Sequence, residues 1–220
     1  MSDIRFSGRP FITYPEVSRP DFRSGRSLFF AVLTIFLLTF APMSFAEEQD
    51  LGVGKATGHW TISGGFGTTH PGFDSTRSRV ETADLILSYG HFLSDEVGRS
   101  WYKGRHEILV ELPLHLVVKP ETTPMVGITF LACWTFTASK TITPYIFGGG
   151  GLVYTDLDVP ELGKKLNGTH QVGAGFHYFF EKNTSLDLSY RFHHISNAGT
   201  AEPNGPLNSS KILFGISFFR

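Results

Sequence analysis

Two stretches near the end of the chain alternate between apolar and polar positions. Leu186, Leu188, Tyr190 and Phe192 fall on one parity, and Asp187, Ser189, Arg191 and His193 on the other. Ile212, Phe214, Ile216 and Phe218 repeat the pattern against Lys211, Leu213, Gly215 and Ser217. A period of two puts each set on one face of a β-strand. The same alternation opens the folded region, where Trp60, Ile62 and Phe66 oppose Thr61, Ser63 and Gly65. Strand-like stretches rich in β-branched and aromatic residues recur, separated by Gly, Pro, Asn, Asp and Ser. They cover about 58–67, 80–92, 104–118, 125–137, 143–155, 169–180, 184–196 and 208–219. That is an even number of segments, each near or above the roughly 9–11 residues a tilted transmembrane strand needs. No amphipathic helix is expected after residue 50. The connection near 93–103 is long for a turn on the terminal side of a barrel.

The first 46 residues follow another pattern. Arg5, Arg9, Arg19, Arg23 and Arg26 outnumber Asp3, Glu16 and Asp21, and an uncharged apolar run from Leu28 to Phe45 follows. Ser44-Phe45-Ala46 then places small residues where a signal peptidase reads, before the acidic Glu47-Glu48. Residues 1–46 are therefore expected to be a secretory signal peptide with a long n-region, and 47–220 the mature domain. The run is near the lower length limit for a membrane-spanning helix, so an uncleaved anchor is the competing reading. Pro42 and the small-residue site favour cleavage.

Composition decides which face of the strands meets which medium. Charged residues make up 18% of the 220-residue chain, against roughly 25% in soluble domains. Glycine (24) and phenylalanine (21) are abundant. A soluble β-sandwich, or a secreted lipid-binding barrel, would also alternate, with its apolar face inward. The export signal, the low charge and the even strand count favour the inverse. The expected fold is all-β, an eight-stranded antiparallel transmembrane β-barrel in a bacterial outer membrane, apolar outward. Trp60, Trp101, Trp134 and several tyrosines are candidates for interfacial girdles. A net charge of −1 offers no basic footprint for nucleic acid. The single cysteine, Cys133, excludes an internal disulfide framework and multi-cysteine zinc sites.

Few residues point to chemistry. Gly148–Gly151 lies in a strand pattern without a following helix or lysine, so it is no phosphate loop. The histidines at 59, 70, 91, 106, 115, 170 and 177 lack metal-ligand spacing, and no metal is expected. His194 and Ser196 differ. Two apart on a strand, they share a face, which brings an imidazole to a hydroxyl. Their parity is that of Leu186, Leu188 and Tyr190, so the pair projects from the outer wall. If strands seven and eight pair around a loop at 197–207, Asn208 falls opposite Ser196 and within reach of His194. Glu202 is the only nearby carboxylate. Without catalysis, the pair would simply be a polar strand end at the membrane interface.

The run His194-Ile195-Ser196-Asn197-Ala198-Gly199, followed by Pro203-Asn204-Gly205-Pro206, resembles the signature of the outer-membrane lipid A 3-O-deacylases (PagL type). The resemblance implies a serine ester hydrolase that removes a 3-hydroxyacyl chain from the lipid A of lipopolysaccharide. It implies no cofactor, and an eight-stranded barrel with a His-Ser-Glu triad on its outer surface. The histidine and serine map onto His194 and Ser196. The acidic member maps onto Asn208, where this chain departs from the pattern, and Glu202 is the alternative acid. Asn197 and the Gly199 amide match the family's oxyanion donors. Lipopolysaccharide is the expected partner, and a homodimer is compatible with the resemblance. The rival function is a non-catalytic small barrel with a structural or adhesive role, which would explain the missing acid.

Overall fold

The computed structural model describes residues 52–220; the proposed signal peptide and its cleavage site lie outside them. A one-turn helix α1 (Gly52–Lys55) leads into eight strands: β1 (Gly58–Thr69), β2 (Glu81–Phe92), β3 (Gly104–Lys119), β4 (Thr123–Phe136), β5 (Ile142–Thr155), β6 (Leu166–Glu181), β7 (Thr184–Ser196) and β8 (Leu207–Phe219). Each pairs antiparallel with the next, and β8 closes on β1. All eight sit where the hydrophobic alternation places them. The helix α1, unexpected from the sequence, is too short to show periodicity. The long 93–103 connection is folded, with a 3₁₀ turn at Ser100–Tyr102 and a bridge between Val97 and Gly104.

The two faces are inverted relative to a soluble barrel. Phe66, Val172 and Phe214 are 66%, 59% and 57% exposed. Asp84, Glu107, Glu111, His115, Arg191 and Lys211 are buried inside. This removes the reading as a soluble lipid-binding barrel. A wall this apolar is stable against lipid, where closure also satisfies every strand's backbone groups. The charged groups of the interior are paired with one another. Arg191 Nη1 meets Glu111 Oε2 at 2.8 Å, and Lys211 Nζ meets Asp84 Oδ2 at 2.9 Å. Tyr145 donates to Asp187 at 2.7 Å. His59 and Glu107 pair so tightly past Gly90 that a Cβ there would run into both side chains. Buried charges are tolerable only when paired in this way.

Apolar clusters seal both ends. At one, Val53 and Ala56 pack with Phe92 and Phe219, while Arg105 donates to the Val53 and Ala56 carbonyls, each at 2.7 Å. At the other, Val117, Met125, Val153, Leu157, Ile195 and Leu207 close the lumen beneath the β1–β2, β5–β6 and β7–β8 loops. Trp60, Trp101 and Trp134 all lie toward the end carrying the chain terminus, while the exposed Tyr154 and Tyr190 lie toward the other.

Candidate active site

Strand β7 carries His194 and Ser196 to the end opposite the chain terminus, on the outward parity. Their lumen-facing neighbours His193 and Ile195 are buried. His194 Nε2 lies 3.0 Å from Ser196 Oγ. Its Nδ1 lies 2.8 Å from Asn208 Oδ1. Across the wall, His170, His194 and Asn208 form one row, with the His170 ring centroid 6.0 Å from that of His194. No carboxylate contacts His194 among the described residues.

The register differs from the symmetric hairpin expected around 197–207. Asn208 stands opposite His194, not Ser196, and Ile195 stands opposite Leu207. Both of those apolar side chains point into the cluster that seals the lumen, and that burial sets where pairing stops. The shift is by two residues, so the facing is unchanged. It also improves the geometry, because cross-strand partners are the residues whose side chains meet.

A residue that the sequence pattern does not flag completes the chain of hydrogen bonds. Thr76, from the β1–β2 loop (70–80), accepts from the Asn208 backbone N–H at 3.1 Å and from Nδ2 at 3.2 Å. It donates to the Pro206 carbonyl at 2.9 Å. With Nδ2 donating to Thr76, Oδ1 is the end that faces the imidazole. The bonds then run in one direction. Nδ1–H donates to Asn208, and Nε2 is left as the acceptor for the Ser196 hydroxyl. Thr76 escapes a sequence reading because nothing local marks it and its partner lies in a distant strand.

The β7–β8 loop turns immediately after the serine. Ala198 and Gly199 both have positive φ (53° and 71°), and Thr200 N donates to Asn197 O at 3.1 Å. This is the backbone of a tight turn that glycine adopts most readily. The Gly199 amide has no acceptor among the described residues, and a Cβ there would meet nothing within 4 Å. Asn197 is placed otherwise than the resemblance implies. Its Nδ2 donates to the Ala201 and Pro203 carbonyls, each at 3.0 Å, and its backbone N–H to Asn204 Oδ1 at 3.2 Å. Both donors are spent folding the loop. Glu202 is exposed at the loop crest, its backbone against Gly163, and Asn208, not Glu202, stands against the imidazole.

A second lock fixes the neighbouring loops. Glu161, in the β5–β6 loop (156–165), accepts from the Arg77 and Ser78 amides and the Ser78 hydroxyl, all at 2.7 Å. Its backbone O accepts from Gly205 N at 2.9 Å. Burial acts to raise the Glu161 pKa, and the Ser78 hydroxyl and the two amides outweigh it, leaving the carboxyl below its ordinary value. Glu161 thus ties together, through its carboxylate, the loop that carries Thr76 and, through its backbone carbonyl, the loop that follows Ser196.

These features define a class: a small, sealed outer-membrane barrel whose polar constellation sits on its lipid-facing wall. The lipid A 3-O-deacylase (PagL) family model matches residues 55–217, and the chain belongs to that family. It is a lipid A 3-O-deacylase, an ester hydrolase of the bacterial outer membrane. The crystal structure of the outer membrane enzyme PagL is similar in fold, with a TM-score of 0.53 at 18% identity over 71% of this chain and 97% of that one. Neisserial surface protein A is similar at a TM-score of 0.57 and 15% identity, covering 74% of this chain and 97% of its own. A search of the curated proteins gives no match.

Proposed function

We propose that Ser196 is the nucleophile of the deacylation, His194 its general base, Asn208 the acceptor that orients the imidazole, and the Gly199 amide an oxyanion donor. The observation that carries the reading is the pair of contacts on one ring, 3.0 Å to Ser196 Oγ and 2.8 Å to Asn208 Oδ1. Nε2 takes the serine proton as Oγ attacks the ester carbonyl. The carbonyl oxygen becomes an oxyanion beside the Gly199 amide, a donor whose kind is worth roughly 3 kcal/mol in hydrolases. His194 returns the proton to the sugar oxygen as it leaves, and the same histidine then activates water to release the acyl group. Asn197 serves this step indirectly, by folding the turn that presents Gly199.

The substrate is lipid A, and the outward facing fits it. With both termini in the periplasm, the site end of β7 lies in the outer leaflet, where acyl chains join their sugar. The chain need not enter the protein. It lies along the apolar wall, where Phe192 is met edge-on by Phe73 at 5.9 Å and Phe214 is exposed. The rival reading, a non-catalytic barrel, draws only on the absence of an acid at position 208. Asparagine supplies the orienting acceptor, as in Cys-His-Asn enzymes, without the charge. The reading therefore implies a slower enzyme and not an inert one. Mass spectrometry of lipid A from cells expressing wild type or Ser196→Ala tests it: loss of a hydroxyacyl chain must require the serine.

A further inference from the structure

We propose that Thr76 is a positioning residue of the deacylase, its hydroxyl deciding which end of the Asn208 amide faces His194. The inference rests on the triad proposed above. A carboxylate presents two equivalent oxygens, so an acid at position 208 orients an imidazole whichever way it turns. An amide has an acceptor end and a donor end. Reversed, Asn208 would offer N–H to Nδ1, the imidazole would hold its proton on Nε2, and the serine proton would have nowhere to go.

The hydroxyl of Thr76 prevents the reversal by what it has already spent. Its proton goes to the Pro206 carbonyl at 2.9 Å. What remains is lone-pair capacity, filled by the Asn208 backbone N–H at 3.1 Å and Nδ2 at 3.2 Å. A reversed amide would set Oδ1 against an oxygen with no proton to give. Thr76 is 1% exposed, so bulk water has little access to substitute. Its own backbone is held in place: its N–H donates to Phe73 O at 3.0 Å and its carbonyl accepts from Gly72 N at 2.8 Å. The Glu161 carboxylate grips the next two amides along. Asparagine at 208 and a hydroxyl at 76 therefore act as one unit.

A mutant cycle with kcat and KM measured on lipopolysaccharide in mixed micelles tests this. Thr76→Val keeps the shape and removes the acceptor. It is expected to lower kcat by about tenfold or more, with KM within about twofold, because the amide acts on the imidazole and not on bound lipid. The loss has a ceiling near the ~10⁴-fold seen when a triad imidazole takes the wrong tautomer. Thr76→Ser should restore kcat, and Thr76→Cys, a weaker acceptor of similar shape, should fall between. The same Thr76→Val change in an Asn208→Asp background should cost under about threefold, since aspartate has no wrong end. Heat-modifiable gel migration establishes that each barrel folds, and Thr76→Cys carries the test should Thr76→Val not fold. Equal losses in the two backgrounds would make Thr76 merely structural, and an unchanged kcat would make its hydroxyl irrelevant; either overturns the proposal. Full activity in Ser196→Ala or His194→Ala would instead overturn the triad beneath it.

Discussion

At the scale of residues, the placing of an amide, Asn208, against His194 is the feature of the proposed site with the most consequence. The amide oxygen accepts from His194 at 2.8 Å but cannot balance an imidazolium. Asn208→Glu adds that charge and is expected to raise activity or leave it unchanged. Asn208→Leu removes the acceptor and should lower kcat by at least about tenfold. Glu202→Gln should change little, since Glu202 is exposed on the loop. Assays of the three variants on lipopolysaccharide decide it; an inactive Glu202→Gln beside a fully active Asn208→Leu would move the third role to Glu202. The histidine and serine were legible because strand periodicity makes residues two apart neighbours. Thr76 was not, because it joins the site through a loop contact that no local pattern encodes. The side chain of Asn197 was legible as a motif member, but its hydrogen bonds to loop carbonyls were not.

At the scale of elements, alternation located all eight strands and their facing, because a lipid-facing wall and a polar lumen impose opposite chemistries on adjacent residues. It could not locate the β7–β8 register. Loop length alone does not say where pairing ends, and the joint burial of Ile195 and Leu207 does. The facing predicts a depth-dependent cost. Leu188 is 37% exposed on the wall, paired with Phe176 and Phe214 in mid-strand. Leu152 is also on the wall, but level with Ser196 through Gly168. Arginine at Leu188 should cost about 2–4 kcal/mol in a lipid-bilayer denaturant titration, and at Leu152 only about 0–1 kcal/mol. Equal costs would contradict the membrane placement.

The loop lock makes a prediction about pH. The Glu161 carboxyl sits below its ordinary value of 4.5 in the folded protein, so the unfolded state binds its proton first as pH falls. The stability it contributes is present above about pH 4.5 and is lost as pH drops through the lower folded value. Protection factors for hydrogen exchange at the Arg77 and Ser78 amides should therefore fall over that acid range in wild type. In Glu161→Gln exchange should be fast already at neutral pH and lack this transition. An unaltered profile in the variant would contradict the lock.

At the scale of the whole molecule, the barrel carries the proposed site on its outside. Ion pairs and hydrogen bonds fill the lumen and apolar clusters close both ends, so the interior offers no route to the serine. In the proposed mechanism access is lateral, from the leaflet that holds the substrate. That route is consistent with the constellation's place on the apolar parity. Mass spectrometry of lipid A extracted from cells expressing the protein addresses this account most directly. Wild type is expected to produce lipid A lighter by one 3-hydroxyacyl chain, and Ser196→Ala, folded and in the outer membrane, lipid A of unchanged mass. Unaltered lipid A with wild type, or the same loss with Ser196→Ala, would contradict it.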